Sequence, residues 1–226
     1  MFTRTIQLIG EDAYKRLQTT RIILFGVGGV GGWCAEALIR SGVQHLTIVD
    51  FDVVDPTNIN RQVVATADNI GIPKVEEMRK RLLSINPHAD IIAINERFTT
   101  ETAANFQLST FNYIIDAIDS VADKAALILL ATATDARLFS SMGAGRKLSA
   151  AEVRATDFRK VAGCPLARAL RHYFKHNGQF PAKPFTCIWS PEISGENGTM
   201  AHIVGTFGFR LAGEVINDLL CSTSEI

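Results

Sequence analysis

Close cysteine pairs are missing from this 226-residue chain: Cys34, Cys164, Cys187 and Cys221 are its only cysteines, and no two stand at a C-x-x-C spacing. A structural zinc site therefore has no ligand framework, and no disulfide scaffold is implied. Long apolar runs are missing as well. The best stretch, Ile203 to Leu220, is interrupted by Arg210, Glu214 and Asp218, short of the ~18 unbroken apolar residues a membrane span needs. Met1 to Gly10 carries Arg4 but no apolar stretch followed by a small-residue cleavage site. No secretory signal is legible, and the expected setting is the cytoplasm, away from membranes. Neither sign of charge is in excess, with 23 Lys and Arg against 23 Asp and Glu. There is no internal repeat, and the 17 glycines fall without a period, which excludes fibre and linker classes. What remains, 47% hydrophobic and 20% charged residues, describes one globular domain able to bury a sizeable core.

The overall balance conceals a local excess. From Arg146 to Lys183 the chain carries Arg146, Lys147, Arg154, Arg159, Lys160, Arg168, Arg171, Lys175 and Lys183 against only Glu152 and Asp157. Such an excess suits a polyphosphate surface. It suits a solvated helix face equally well, and charge alone leaves both open.

Hydrophobic periodicity alternates along the chain. Arg21 to Phe25 reads as a buried strand, Val30 to Arg40 as a helix stopped at Ser41-Gly42, and His45 to Asp50 as a second strand, together a βαβ unit. Pro73 to Ile85 has one apolar stripe of Val75, Met78, Leu82 and Ile85 and is a helix. Strands are expected at Ile91 to Ile94, Tyr113 to Ile118 and Arg137 to Met142, with a helix at Ala122 to Ala133. Beyond residue 145 the pattern predicts a strand at Glu152 to Phe158, a helix at Pro165 to Lys175, a short strand at Phe185 to Trp189, a Gly195 to Gly198 turn and a closing helix at Ile203 to Leu220. The fold class is α/β with a mainly parallel sheet. It forms one domain, residues 1–226, with a regular core over residues 1–145 and a looser extension over residues 146–226.

Gly26-Val27-Gly28-Gly29-Val30-Gly31 lies between a predicted strand and a predicted helix. Backbone N–H groups and the positive helix end would there face a bound phosphate. Gly26 permits the tight turn, Gly28 lets the backbone approach phosphate, and Gly31 lets the helix pack close to the sheet. Asp50 ends the next strand, where an acid can bind ribose hydroxyls. To this point NAD and ATP fit equally. The next stretch separates them: Asp50 to Gln62 contains Asp52, Asn58, Arg61 and Gln62, and Lys74 opens the following helix. Redox chemistry has no need of these residues. Attack at the α-phosphate of ATP does, because cations neutralise the charge that develops while an acid holds magnesium.

The run from Gly26 to Lys74, with Asp116-Ala-Ile-Asp119-Ser later, resembles the superfamily of ubiquitin-activating E1 enzymes and their bacterial relatives in thiamine and molybdopterin synthesis. The resemblance implies a Rossmann-like, doubly wound fold with a smaller C-terminal β/α extension, binding ATP and adenylating a carboxylate. It places Gly26, Gly28, Gly29 and Gly31 under the phosphates, with Asp50 on the ribose. Asp52, Asn58, Arg61, Gln62, Lys74 and Asp116 stand around the nucleotide, and Asp119 on Mg2+. It also implies a homodimer in which Arg4 reaches the neighbouring subunit's ATP. Each residue has a structural alternative: Asp50 and Asp116 as strand-end caps, Asn58 in a turn, Arg61 and Lys74 as surface cations, Asp119 as a helix cap.

The absence of zinc-binding cysteine pairs departs from the sulfur-carrier branch. Instead, Tyr113 to Ile128, Ser141-Met-Gly-Ala-Gly-Arg-Lys-Leu, Val153 to Phe158 and Pro165 to Arg171 are similar to the bacterial tRNA threonylcarbamoyladenosine dehydratases. That likeness implies ATP-dependent cyclisation of the threonylcarbamoyl group on adenosine 37 of tRNA. The cations Arg146, Lys147, Arg154, Arg159, Lys160, Arg168, Arg171 and Lys175 would contact its phosphates. Cys187 is a candidate acyl-trapping thiol, although its apolar neighbours favour a buried, inert one. Adenylation of a small sulfur-carrier protein and a non-catalytic nucleotide-binding scaffold are the alternatives, and a sulfur-relay partner is left open.

Overall fold

The computed structural model describes residues 1–196 and 198–221. Seven strands form one sheet: β1 (Arg21–Phe25), β2 (His45–Val49), β3 (Asp90–Ile94), β4 (Tyr113–Asp116), β5 (Arg137–Ser141), β6 (Arg154–Asp157) and β7 (Thr186–Trp189). Their order is β3-β2-β1-β4-β5-β7-β6. All neighbours are parallel except β6 and β7. The strand order reverses between β1 and β4, the switch point at which open α/β sheets bind ligands.

Register decides what meets there. Phe25 is opposite both Val49 and Asp116, and Val49 is opposite Ile94. The residues that follow, Gly26, Asp50 and Ala117, therefore emerge side by side at the carboxyl edge. The backbone ties them together: Gly26 N–H donates to Val49 at 2.7 Å, Asp50 N–H to Ile94 at 3.2 Å and Ala117 N–H to Phe25 at 2.8 Å.

Helices cover both faces. On one lie α3 (Gly31–Ser41), α4 (Lys74–Ile85) and α7 (Ala201–Cys221), burying Leu38, Ile39, Met78, Leu82, Phe207 and Leu211 against Leu24 and Ile48. On the other, α5 (Val121–Thr132) and α6 (Pro165–His176) enclose an aromatic cluster in which Phe98 and Phe106 meet Phe25 edge-on at 5.0 and 5.3 Å. Each fully buried side chain of this size is worth about 1.5–3 kcal/mol of apolar transfer. Chain halves expected to divide near residue 145 share this core, since β7 and β6 extend the same sheet and α7 returns to pack on α3. Gly208 makes that return possible, because a Cβ there would stand 2.6 Å from the Val30 carbonyl oxygen.

Two N-terminal helices escape the periodicity argument: α1 (Thr3–Ile9) and α2 (Glu11–Thr19). Helix α1 buries no residue and α2 only Ala13 and Leu17, and at 7 and 9 residues each is too short to repeat an apolar stripe along the chain. The Glu152 to Phe158 strand is shorter than expected, because Ala150–Glu152 forms a 3-10 turn before β6. The expected Gly195 to Gly198 turn includes Asn197, which lies outside the described residues.

Candidate active site

A cavity of about 260 Å³ opens at the switch point. Its floor is the glycine turn, with Gly26, Gly28 and Gly29 among its lining residues. Gly26 adopts φ +88°, the left-handed region that favours glycine. Gly31 lies beneath rather than in the cavity: a Cβ there would stand 1.7 Å from the Gly26 carbonyl oxygen, so only glycine lets α3 start this close to β1. Asp50 fastens the turn, accepting Val27 N–H at 2.8 Å and Asp52 N–H at 2.9 Å. Burial pushes its carboxyl pKa up, and those two N–H donors and nearby Lys74 oppose the shift.

Cations and carboxylates line the walls. Lys74, buried at the start of α4, donates to Asp52 at 2.7 Å. Arg61 spends Nη1 on the Thr57 carbonyl at 2.6 Å and the Asn60 side chain at 3.0 Å. Its Nε and Nη2 have no partner among the described residues, so they remain available to phosphate oxygens. Gln62 is 7% exposed, and its Oε1 has no hydrogen-bond partner. An orphaned buried acceptor costs about 1–3 kcal/mol, which marks this amide, against Gly28, as a place for a ligand donor. Asp119 is exposed on the cavity wall. Of the lining carboxylates it alone lacks a partner among the described residues: Asp50 accepts backbone N–H groups, Asp52 is bound by Lys74, Glu96 by Asn105 and Asp123 by Arg97. One free carboxylate beside a phosphate site is a donor set that suits magnesium, which takes its other ligands from phosphate and water. Among the described residues no three His, Cys, Asp or Glu side chains gather as a protein-only metal site.

Several expected roles are corrected. Asp116 is fully buried below the cavity, where it accepts Ser140 Oγ at 2.6 Å, pairs with Lys124 at 2.8 Å and accepts Ile118 N–H at 3.0 Å. Its carboxylate anchors the β4 loop and does not line the cavity. Asn58 does not line the cavity either; its Oδ1 accepts Asp55 N–H at 3.1 Å and closes a capping box around Pro56–Asn58. Cys187 is 0% exposed on β7, and burial raises its thiol pKa well above the ordinary value, so it offers no thiolate nucleophile. Arg4 is exposed on α1 and does not reach the cavity of its own chain.

The cations of the second half separate into two groups. Lys147 is 3% exposed and donates to the carbonyls of Ser190 at 3.2 Å and Glu192 at 2.5 Å; burial lowers its pKa. Arg171 donates to the carbonyls of Phe158 at 2.8 Å and Val161 at 2.6 Å and covers the Phe158 ring. Both hold the fold together and are withdrawn as phosphate contacts. Arg146, Arg154, Arg159, Lys160, Arg168 and Lys175 are exposed. Arg154 and Arg159 carry acidic partners in Glu152 and Asp157, and Arg146 donates to the Gly195 carbonyl at 3.0 Å.

The sequence argument missed one feature of the site. Arg97 holds Asp123 through Nε at 2.9 Å and Nη2 at 2.8 Å and lies over the half-exposed Phe51 ring, 5.4 Å from its centroid. Ring, guanidinium and carboxylate together make a planar wall suited to a nucleobase. The available signal was positional: Arg97 follows β3 at the ligand-binding edge of the sheet.

Comparison with known proteins agrees with this geometry. Residues 2–220 match the model of the ThiF family. The chain is 38% identical to the tRNA threonylcarbamoyladenosine dehydratase of Escherichia coli over 77% of its own length and 65% of that relative's. It is 32% identical to the Haemophilus influenzae protein of the same name over 95% and 91% of the two lengths. The solved structure of the E. coli dehydratase in complex with ATP superposes with a TM-score of 0.92 at 33% identity, covering 99% of this chain and 95% of that one. With the switch-point cavity and its glycine turn, the match places the protein: the chain belongs to the ThiF family.

Proposed function

We propose that the chain is an ATP-dependent tRNA threonylcarbamoyladenosine dehydratase, closing the threonylcarbamoyl group on adenosine 37 into a ring with loss of water. The observation that carries this reading is the convergence of Arg61, Lys74 and the unpaired Asp119 on one cavity floored by the glycine turn, together with the likeness to the dehydratases along most of the chain.

A carboxylate is a poor acyl donor at neutral pH. One oxygen of the threonyl carboxylate attacks the α-phosphorus of ATP, and pyrophosphate leaves. The carbamoyl nitrogen then attacks the acyl carbon and loses a proton, and AMP departs with the carboxylate oxygen, so the nucleoside has lost one water. Arg61 and Lys74 neutralise charge developing on the phosphates; Asp119 would hold a magnesium ion, which would add Lewis-acid neutralisation of the phosphates. The Phe51–Arg97 wall receives the base of ATP, and Asp50 the ribose hydroxyls. Holding acyl carbon and carbamoyl nitrogen in one cavity makes ring closure unimolecular, and no protein nucleophile is needed, in keeping with the burial of Cys187. The working form is a cytoplasmic homodimer, with Arg4 of each chain completing the site of its neighbour.

Nucleoside mass spectrometry of threonylcarbamoyl-modified tRNA, incubated with the protein, ATP and magnesium, tests the reading. Loss of one water only when ATP is present is the expected result, with AMP and pyrophosphate as co-products. Release of ADP and phosphate would replace adenylation by phosphorylation of the carboxylate. An unchanged nucleoside, with ATP–pyrophosphate exchange only on adding a Gly-Gly-ended carrier protein, would refute the dehydratase.

A further inference from the structure

A second cavity, of about 690 Å³, lies at the other end of α6. Leu166, in the first turn of that helix, lines the nucleotide cavity, and Arg171, Phe174 and Lys175 line the second. The nine residue steps from Leu166 to Lys175 span roughly 14 Å of helix. The second cavity is walled by Phe158, Phe174 and Phe185, with Phe158 and Phe185 stacked at 5.0 Å. Phe180 stands at its mouth and is 66% exposed. The three wall rings are themselves buried in the core, so Phe180 is the ring this groove offers to a ligand.

Charge states what the groove suits. Arg159, Arg171, Lys175 and Lys183 line it; Arg159 is paired with Asp157, Lys183 with Asp135 and Arg171 with backbone carbonyls, while Lys175 forms no ion pair among the described residues. Between the two cavities α6 presents Arg168, His172, Lys175 and His176 to solvent, spaced so that they share one helix face. Lys160, Arg168 and Lys175 form no salt bridge among the described residues, although Lys160 acts on Asp157 through its charge. An aromatic platform bordered by unpaired cations is how proteins hold single-stranded nucleic acid, bases stacking on rings while phosphates meet cations.

We propose that this groove is an RNA-binding site that stacks an unpaired base of the tRNA on Phe180, while Lys160, in the turn before α6, and Arg168 and Lys175 on α6 hold the adjoining phosphates. The inference rests on the dehydratase reading for the identity of the RNA. It adds a place where the substrate is gripped outside the reaction cavity.

The test is binding of a fluorescein-labelled anticodon stem-loop carrying threonylcarbamoyladenosine, followed by anisotropy at several salt concentrations. Phe180→Ala is expected to weaken binding by about 5- to 100-fold, the range for one lost base stack, with ATP affinity unchanged. Lys175→Gln is expected to lower the slope of log affinity against log salt by about one. Both side chains are exposed, so the variants should melt like the wild type. Wild-type RNA affinity in Phe180→Ala overturns the proposal. So does binding of a poly-glutamate peptide that this variant alone loses, which would assign the groove to an acidic protein. If the wild type does not bind the stem-loop at all, the tRNA reading and this inference fall together; wild-type binding with unaltered variants sinks the inference alone.

Discussion

The glycine turn from Gly26 to Gly31 and the cation-rich stretch from Arg146 to Lys183 point to phosphate by different means, and the folded chain treats them differently. In the turn, three of the four glycines line the cavity, and the fourth lets α3 start against the turn. In the cationic stretch, Lys147 and Arg171 turn inward to backbone carbonyls while Lys160, Arg168 and Lys175 stay in solvent. A glycine acts through its backbone, whose place follows from strand and helix. A lysine or arginine acts at the end of a long flexible stem, and its role depends on what that end meets. The same contrast separates two acids three residues apart: Asp116 is locked under the β4 loop, and Asp119 stands free in the cavity.

Substitutions can sharpen or break this contrast. The largest effect is expected at the free groups: Asp119→Ala and Arg61→Ala should each lower turnover by at least about 100-fold, as for loss of a transition-state contact, while thermal melts stay near wild type. Substantial turnover in either would dissolve the site. Asp116→Ala should do the reverse, costing about 3–5 kcal/mol by leaving the Lys124 ammonium buried and unpaired, as read by denaturant unfolding. A variant as stable as wild type would remove its anchoring role. For Gly31→Ala the clash with the Gly26 carbonyl should cost at or above the roughly 3 kcal/mol typical of overpacking; a stable protein that still binds ATP would show that α3 can move away freely.

Smaller effects separate the cations. Lys147→Ala strands the carbonyls of Ser190 and Glu192 and should cost about 1–3 kcal/mol of stability, with the salt dependence of RNA binding unchanged. A reduced salt slope in Lys147→Ala would return it to the phosphate-binding set. The smallest expected effect is a pH dependence. Because burial raises the Asp50 pKa in the folded protein, the folded state holds this proton more tightly than the unfolded chain. Its contribution to stability is therefore complete below the ordinary aspartate value near 3.9 and is lost as pH rises through the raised folded value. Asp50→Asn should remove that decline from a pH series of melting temperatures, and an unchanged series would show that Asp50 does not titrate as its burial implies.

Most of the architecture was legible because the elements with buried stripes or apolar runs announce themselves: β1, α3, β2 and α4 fall within a residue or so of where periodicity places them. The short helices α1 and α2 were not, because at 7 and 9 residues they bury almost nothing and repeat no pattern. Gly26, Gly28, Gly29, Asp50, Asp52, Arg61, Gln62, Lys74 and Asp119 were named from the glycine motif and the family resemblance, and they line one cavity. Arg97, Asp123 and Phe51 were missed because they act only as a trio brought together by the β3 loop, α5 and the end of β2. No local pattern encodes that meeting.

Residue order alone specified the parallel sheet and the glycine turn at its carboxyl edge, since backbone conformation and hydrophobic period are local properties of the chain. Tertiary structure decided which acids and cations are spent on the fold and which remain free. It buried Asp116 against Lys124, aimed Lys147 at carbonyls and left Asp119, Lys175 and Phe180 open. The reason is that burial and pairing are set by residues distant in sequence, and a charged side chain is free for chemistry only where the packed core leaves it without a partner.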